Sequence, residues 1–303
     1  MTAARFDDWV GRTAESTDVI SPVQVRQMGA LLNQRTLMED PGQGPLPAGW
    51  HWCYFNPVET TDRLGADGHP ERGGFLPPVP LPRRMWAGSR LAWERPFDAA
   101  SEVRKRSRIL QVAEKSGRKG AMVFVTVEHR YSDARGGVLR EEHDIVYRDL
   151  AGAEEVEAMR GVAGAAADWR AAAPVFERRG ERSKAVCMGP VELFRYSAAT
   201  FNGHRIHYDL AYCQQEEGYP AQVVHGPLIA TLLLDFMEHE IAPGARIATF
   251  RFRAVQPTFA LPGGFHLHAS PEAATPGGWR VWSTNNTGRV GLDGVITLGA
   301  PGP

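Results

Sequence analysis

The sequence predicts an α+β fold made of two similar halves, and three observations point to it. A helix followed by four strand-like segments fills residues 21–148. The same order, a helix and then four strand-like segments, recurs over 226–298. An Ala/Gly-rich stretch without large core residues, 150–173, lies between them. The expected divisions are a first half over 1–150, a linker over 151–185 and a second half over 186–303. The halves share an order of elements but no clear sequence identity.

Residues 6–20 read as an extended lead-in. Ser21 can cap a helix and Pro22 suits its first turn, with Val25, Met28, Leu31 and Leu32 on one face. From 41 to 82 the chain is rich in Pro, Gly and aromatic residues. Trp50, Trp52, Tyr54 and Phe55 need burial, which predicts a packed loop region. The prolines of GGFLPPVPLPRRMWAGS exclude helix and favour extended backbone. Strands are expected over 90–96, 101–114, 120–132 and 139–148, divided by the turn signals Ser116-Gly117 and Arg135-Gly136-Gly137. In the second half, 192–197 reads as a strand entry and 226–239 as an apolar helix. Strands follow over 245–255, 264–270, 278–284 and 291–298, and the Gly/Pro-rich tail is expected to fray.

Composition narrows the function. Hydrophobic residues make up 43% and charged residues 23%, the profile of a globular protein with an ordinary core. A net charge of −1 provides no general attraction to nucleic acid or to anionic membrane. No run of about 18 apolar residues suggests a membrane span. The N-terminal stretch lacks the apolar segment of a signal peptide. Cys53, Cys187 and Cys213 form no CxxC or zinc pattern, so buried thiols in a reducing, cytoplasmic setting are expected.

The densest chemistry lies in FRYSAATFNGHRIHYD and, downstream, EGYPAQVVHGPL. These strings resemble the MaoC-like hot-dog (R)-specific enoyl-CoA hydratases and dehydratases, whose motif S-x-D-x-N-P-x-H precedes an H-G at a central helix. The similarity is greatest to the branch of type-2 hydroxyacyl-thioester dehydratases and itaconyl-/mesaconyl-C4-CoA hydratases, which also shows the GGFLPPVPLPRRMWAG segment. The resemblance implies a double hot dog, in which each half wraps an antiparallel sheet around a helix. It also implies a catalytic second half and a first half that shapes the acyl-CoA tunnel. The substrate would be an acyl-CoA thioester. No separate cofactor is expected, since coenzyme A is part of the substrate, and a homodimer is compatible with the chain.

Water addition next to a thioester needs a base for water, a proton for the α-carbon and a site for the enolate charge. The resemblance places His207 at the catalytic histidine position and Gly226 at the helix start, where a backbone N–H and the helix dipole can meet the thioester oxygen. Asn202 stands where the family has Asp, and it can hold water but cannot take a proton. His204, two residues on, is a further catalytic candidate.

Arg205 replaces the family's Pro. It either binds a free carboxylate on the acyl group or pairs with Asp209 or the nearby glutamates. His225 either meets substrate or packs at the helix start. Arg83, Arg84, Arg251 and Arg253 are candidates for CoA phosphates, with plain solvation the alternative. His204 and His207 lie at i, i+3, but no third ligand at sensible spacing follows and HExxH is absent, so no metal is expected. The favoured substrate is a C5-dicarboxylic acyl-CoA (itaconyl-, mesaconyl-C4- or citramalyl-CoA), with a monocarboxylic 3-hydroxyacyl thioester as alternative. A thioesterase or a non-catalytic acyl-CoA-binding subunit are the readings outside this class.

Overall fold

A computed structural model describes residues 6–117, 120–150, 152 and 180–299. The first half contains β1 (Thr13–Val19), α1 (Pro22–Leu31), α2 (Arg35–Glu39), β2 (Arg83–Arg95), β3 (Glu102–Gly117), β4 (Gly120–Asp133) and β5 (Val138–Arg148). The second contains β6 (Arg182–Val186), α3 (Pro190–Ala199), α4 (Leu210–Gln215), α5 (Gly226–Phe236), β7 (Ile247–Ala254), β8 (Phe265–Pro271), β9 (Gly278–Thr284) and β10 (Val290–Leu298). Of the linker expected over 151–185, residues 151 and 153–179 lie outside the described residues, as does the tail after 299; the linker's last residues are instead the start of β6, paired with β8.

All ten strands join one antiparallel sheet in the order β1-β3-β4-β5-β2-β7-β10-β9-β8-β6. Read outward from the middle, both halves have the same topology, as the double hot dog requires. The seam is β2 against β7, from Gly88 opposite Arg253 to Ala92 opposite Thr249. Gly88 is needed there because a Cβ would lie 2.3 Å from the Phe252 carbonyl oxygen.

Helix α5 lies against the second half of the sheet. From Leu228 to Leu234 every residue is buried, and Leu228 and Leu233 share a core with Phe250, Phe265, Leu267, Val281 and Ile296. Each such side chain contributes about 1.5–3 kcal/mol through burial. A π turn, Met237–Ile241, continues the helix. In the first half, Ser21 caps α1 by accepting from the Val23 N–H, and Trp50 and Tyr54 are buried in the loop region as expected.

Four expectations are corrected. The lead-in contains a strand, β1, paired along its whole length with β3; its outward-facing sequence TAESTDV carries no apolar alternation to announce it. The 192–197 strand entry is instead α3. Pro190 starts it, the Glu192 side chain accepts from the Gly189 N–H at 2.9 Å, and Leu193, Tyr196 and Ser197 are buried at helical spacing. The strand expected at 90–96 begins earlier, at Arg83. Cys187 is exposed, whereas Cys53 and Cys213 are buried.

Candidate active site

The site begins where α3, the 3-10 turn Arg205–His207 and the start of α5 meet. His207 is buried, and its Nδ1 donates to the Val223 carbonyl oxygen at 2.7 Å. That bond fixes the tautomer and leaves Nε2 as a proton acceptor. The ring stacks on His225, with centroids 3.6 Å apart and planes 16° apart. His225 immediately precedes Gly226, the first residue of α5. The imidazole and the helix N-terminus therefore converge.

Burial pushes His207 down to about 4, more strongly than the Val223 bond raises it, with a further lowering from His69. It is neutral, and so able to take a proton, at physiological pH. His225 is 0% exposed; its Nε2 is 2.9 Å from Ser197 Oγ and its Nδ1 has no partner. It forms a platform beneath His207, the packing role at the helix start that was one of its two expected roles.

Asn202 accepts the His204 N–H through Oδ1 at 3.0 Å, so the amide end is what it can offer to a water. His204 lies edge to face with His207, centroids 5.5 Å apart, and 4.1 Å from the ring of His69. His69 belongs to the first half. Its Nδ1 donates to Asp67 Oδ2 at 3.0 Å, and its N–H donates to Oδ1 at the same distance.

Donor atoms of Asp67, His69 and His204 lie within 4.8 Å of one another, a ligand-like grouping that the spacing along the sequence did not announce, and Asp67 and His69 are hydrogen-bonded to each other within it. Partial burial opposes ionisation of Asp67, but its bond to His69 holds the carboxyl well below the usual carboxylate range. Burial lowers His69, and it pushes His204 down to about 2 with the help of His69 and His207.

The loop carrying Asp67 is fastened directly to the motif. The Arg205 N–H donates to the Asp67 carbonyl oxygen at 2.9 Å, and its guanidinium donates to the Ala66 carbonyl oxygen at 3.1 Å. Gly68, at φ +84°, packs so closely that a Cβ would lie 2.0 Å from the Gly203 carbonyl oxygen.

Both Nε and an Nη of Arg205 also donate to Asp209 Oδ2, and the guanidinium lies 4.3 Å from the Tyr212 ring centroid. Of its two expected roles, the ion pair is the one formed.

Arg83 is buried against Glu217 (2.8 Å) and stacks over Tyr219, a structural tie between the halves. Arg251 and Arg253 alternate with Phe250 and Phe252, which face the core, so they point from the opposite side of the sheet. Arg253 pairs there with Asp293. Arg83 is thus engaged within the protein, whereas Arg251 and Arg253 lie exposed on the outer face of the sheet.

Arg84 differs. It sits opposite the buried Tyr147 in the register, on the core face of the sheet, and its charge depresses the proton affinity of His69, His204 and His143. Trp86, two residues on, lies 3.6 Å from where a Gly226 side chain would start and 5.1 Å from the His143 ring. Further along this face are His129 and Lys105, beside a buried Glu141 that accepts from His51, Trp52, Ser89 and Tyr131.

Asp67 and His69 were missed because nothing local links them to a motif more than 130 residues later. The available signal was Asp67-Gly68, a turn dipeptide followed by a histidine in a glycine-rich loop.

The family description "hydroxyacyl-thioester dehydratase type 2" matches residues 49–260. The chain is 39% identical over 271 residues, 89% of its length and 91% of the relative's, to a mesaconyl-C(4)-CoA hydratase of Chloroflexus aurantiacus. A mitochondrial hydroxyacyl-thioester dehydratase type 2 of Schizosaccharomyces pombe matches at 37% over 71 residues, 23% of this chain and 24% of that one. Among solved structures, a MaoC-like dehydratase from Phytophthora capsici shares the fold at TM-score 0.65 and 15% identity, covering 95% of this chain and 96% of its own. A Mycobacterium tuberculosis protein described as a double hotdog fold superposes at TM-score 0.55 and 14% identity, covering 98% of each chain. By its sequence match, and in agreement with its fold, the chain belongs to the hydroxyacyl-thioester dehydratase type 2 family.

Proposed function

We propose that the protein is a hydro-lyase that adds water reversibly across the α,β double bond of a C5-dicarboxylic acyl-CoA, with mesaconyl-C4-CoA giving citramalyl-CoA. The observation that carries the reaction is the neutral His207, with Nδ1 tied down and Nε2 free, stacked on the residue that opens α5. The water oxygen bonds to the β-carbon as Nε2 takes one of its protons. The double-bond electrons move to the thioester oxygen, where the Gly226 N–H and the helix dipole stabilise them. The imidazolium then protonates the α-carbon, and neutral His207 is restored. Asn202 holds the water through its amide.

Support for a dicarboxylic acyl group comes from the 39% identical relative and from cationic groups on the core face of the first half's sheet, where Arg84 lies opposite the buried Tyr147 and Lys105 opposite the buried Tyr131. A pocket for a fatty acyl chain would be lined by apolar groups instead. The family match favours a second reading, a 3-hydroxyacyl-thioester dehydratase.

A spectrophotometric screen against mesaconyl-C4- and crotonyl-CoA separates the two. Faster loss of enoyl absorbance with the dicarboxylic thioester is expected. Preference for crotonyl-CoA would move the substrate to the monocarboxylic class. Free CoA released while the enoyl absorbance persists would make the protein a thioesterase.

A further inference from the structure

We infer that Asp67 and His69, from the non-motif half of the chain, stand in for the carboxylate missing at Asn202 and act on His207 through His204. This rests on the hydratase reading above. A neutral base that becomes an imidazolium during the reaction needs a negative charge nearby, and Asn202 supplies none. Asp67 and Asp209 are the carboxylate residues hydrogen-bonded to Arg205, at the start of the turn that carries His207. Asp209 is already neutralised by Arg205. Asp67 is half-buried and bonded to His69, which packs on His204, which packs edge-on to His207.

The construction is specific. Asp67 accepts from both the ring Nδ1 and the backbone N–H of His69, so the ring's Nε2 is left as an acceptor. The Arg205 N–H clamps the Asp67 carbonyl oxygen, and Gly68 against Gly203 leaves no room for slippage. The charged groups around this line are few. Arg84 faces both His69 and His204, and Arg72 acts on His69 while donating to the carbonyls of Val79, Leu81 and Pro82. Both arginines disfavour an imidazolium here, which makes the Asp67 charge the compensating one. His69 and Asp67 are positioning residues in this account. His207 remains the group that meets the water.

Across two imidazole rings, a separation of roughly 10 Å in a protein-like dielectric makes the Asp67 charge worth about tenfold in rate. The test uses full-length enzyme, with kcat and KM for mesaconyl-C4-CoA measured by brief pH jumps from about pH 3 to 8.5, a range that spans the acidic limb of His207. Asp67→Asn keeps the side chain's shape and the backbone ties, so thermal melting should move little. We expect kcat to fall about tenfold with KM within about twofold, and the acidic limb of kcat to move to lower pH because His207 loses basicity.

His69→Gln should give a similar loss, and the double variant should be no worse than the single ones, since the two act as a unit. Asp67→Glu should recover part of the rate. Additive losses, a kcat within about threefold of the parent, or a fall in kcat with the acidic limb unmoved would each overturn the inference. A parent enzyme that hydrates no enoyl-CoA would sink the hydratase reading itself, whereas an active parent with unaffected variants sinks only this step.

Discussion

Replacing Gly68 with alanine tests whether the two halves build the site jointly. At φ +84° any L side chain is strained, at about 1–3 kcal/mol. The new Cβ would also lie 2.0 Å from the Gly203 carbonyl oxygen and 2.9 Å from its carbon. A relaxed carbon–oxygen contact is about 3.3 Å, so the loop or the Asn202–His207 motif must retreat by about 1 Å. A displacement of that size at reacting groups costs about 10²-fold in rate. The strain should lower the melting temperature by about 2–8 °C.

The assay is kcat/KM on mesaconyl-C4-CoA beside a thermal melt. Gly74→Ala serves as control, because a Cβ there meets nothing within 4 Å. A Gly68→Ala enzyme that melts lower yet keeps its rate within about fivefold would refute the idea that this contact sets the motif's position.

Four further outcomes follow from the same geometry. His207→Ala should lower kcat by about 10²-fold or more with the fold intact by circular dichroism. Arg205→Ala should lower the melting temperature and slow the dicarboxylic and monocarboxylic thioesters alike, because the guanidinium is held by Asp209 and Ala66; selective loss of dicarboxylic turnover would contradict that.

Acid should destabilise the protein. His207 holds its proton less tightly when folded (about 4) than unfolded (about 6.5), so the unfolded chain binds more protons in that window. The stability present above pH 6.5 is therefore lost as pH falls toward 4, by about 2 kcal/mol at pH 5 from this residue alone, as denaturant midpoints would read. Dialysis against a chelator should leave hydration unchanged, and lost activity restored by a divalent ion would overturn the metal-free mechanism.

Sequence alone was most informative where one element carries its own signals. The run GPLIATLLLDF reads as a central helix because nearly every side chain is apolar, and Ser21-Pro22 marks a helix start by its chemistry. Strand β1 was silent because it shows solvent an almost wholly exposed, polar surface and is held by backbone pairing to β3. Helix α3 misled because the six residues ELFRYS, taken alone, carry the bulky and aromatic side chains of a strand, and the helical spacing of its buried residues shows only over the full ten-residue element.

Within the site, Asn202, His204, His207 and Gly226 share a short span and were legible. Asp67 and His69 reach it only through tertiary packing. The arginines of FRFRA were readable after all, since alternation with Phe250 and Phe252 already sends them to the opposite face.

The seam between β2 and β7 also bears on synthesis. The ribosome makes β2 roughly 150 residues before β7, which at about 5–20 residues per second leaves an open hydrogen-bonding edge for about ten seconds or more. During that interval the nascent first half can recruit a stray strand from a neighbouring chain. Slower translation of the intervening segment, or crowded overexpression, should therefore favour inclusion bodies over active enzyme, even though in the finished molecule β7 covers that edge from Gly88 to Ala92.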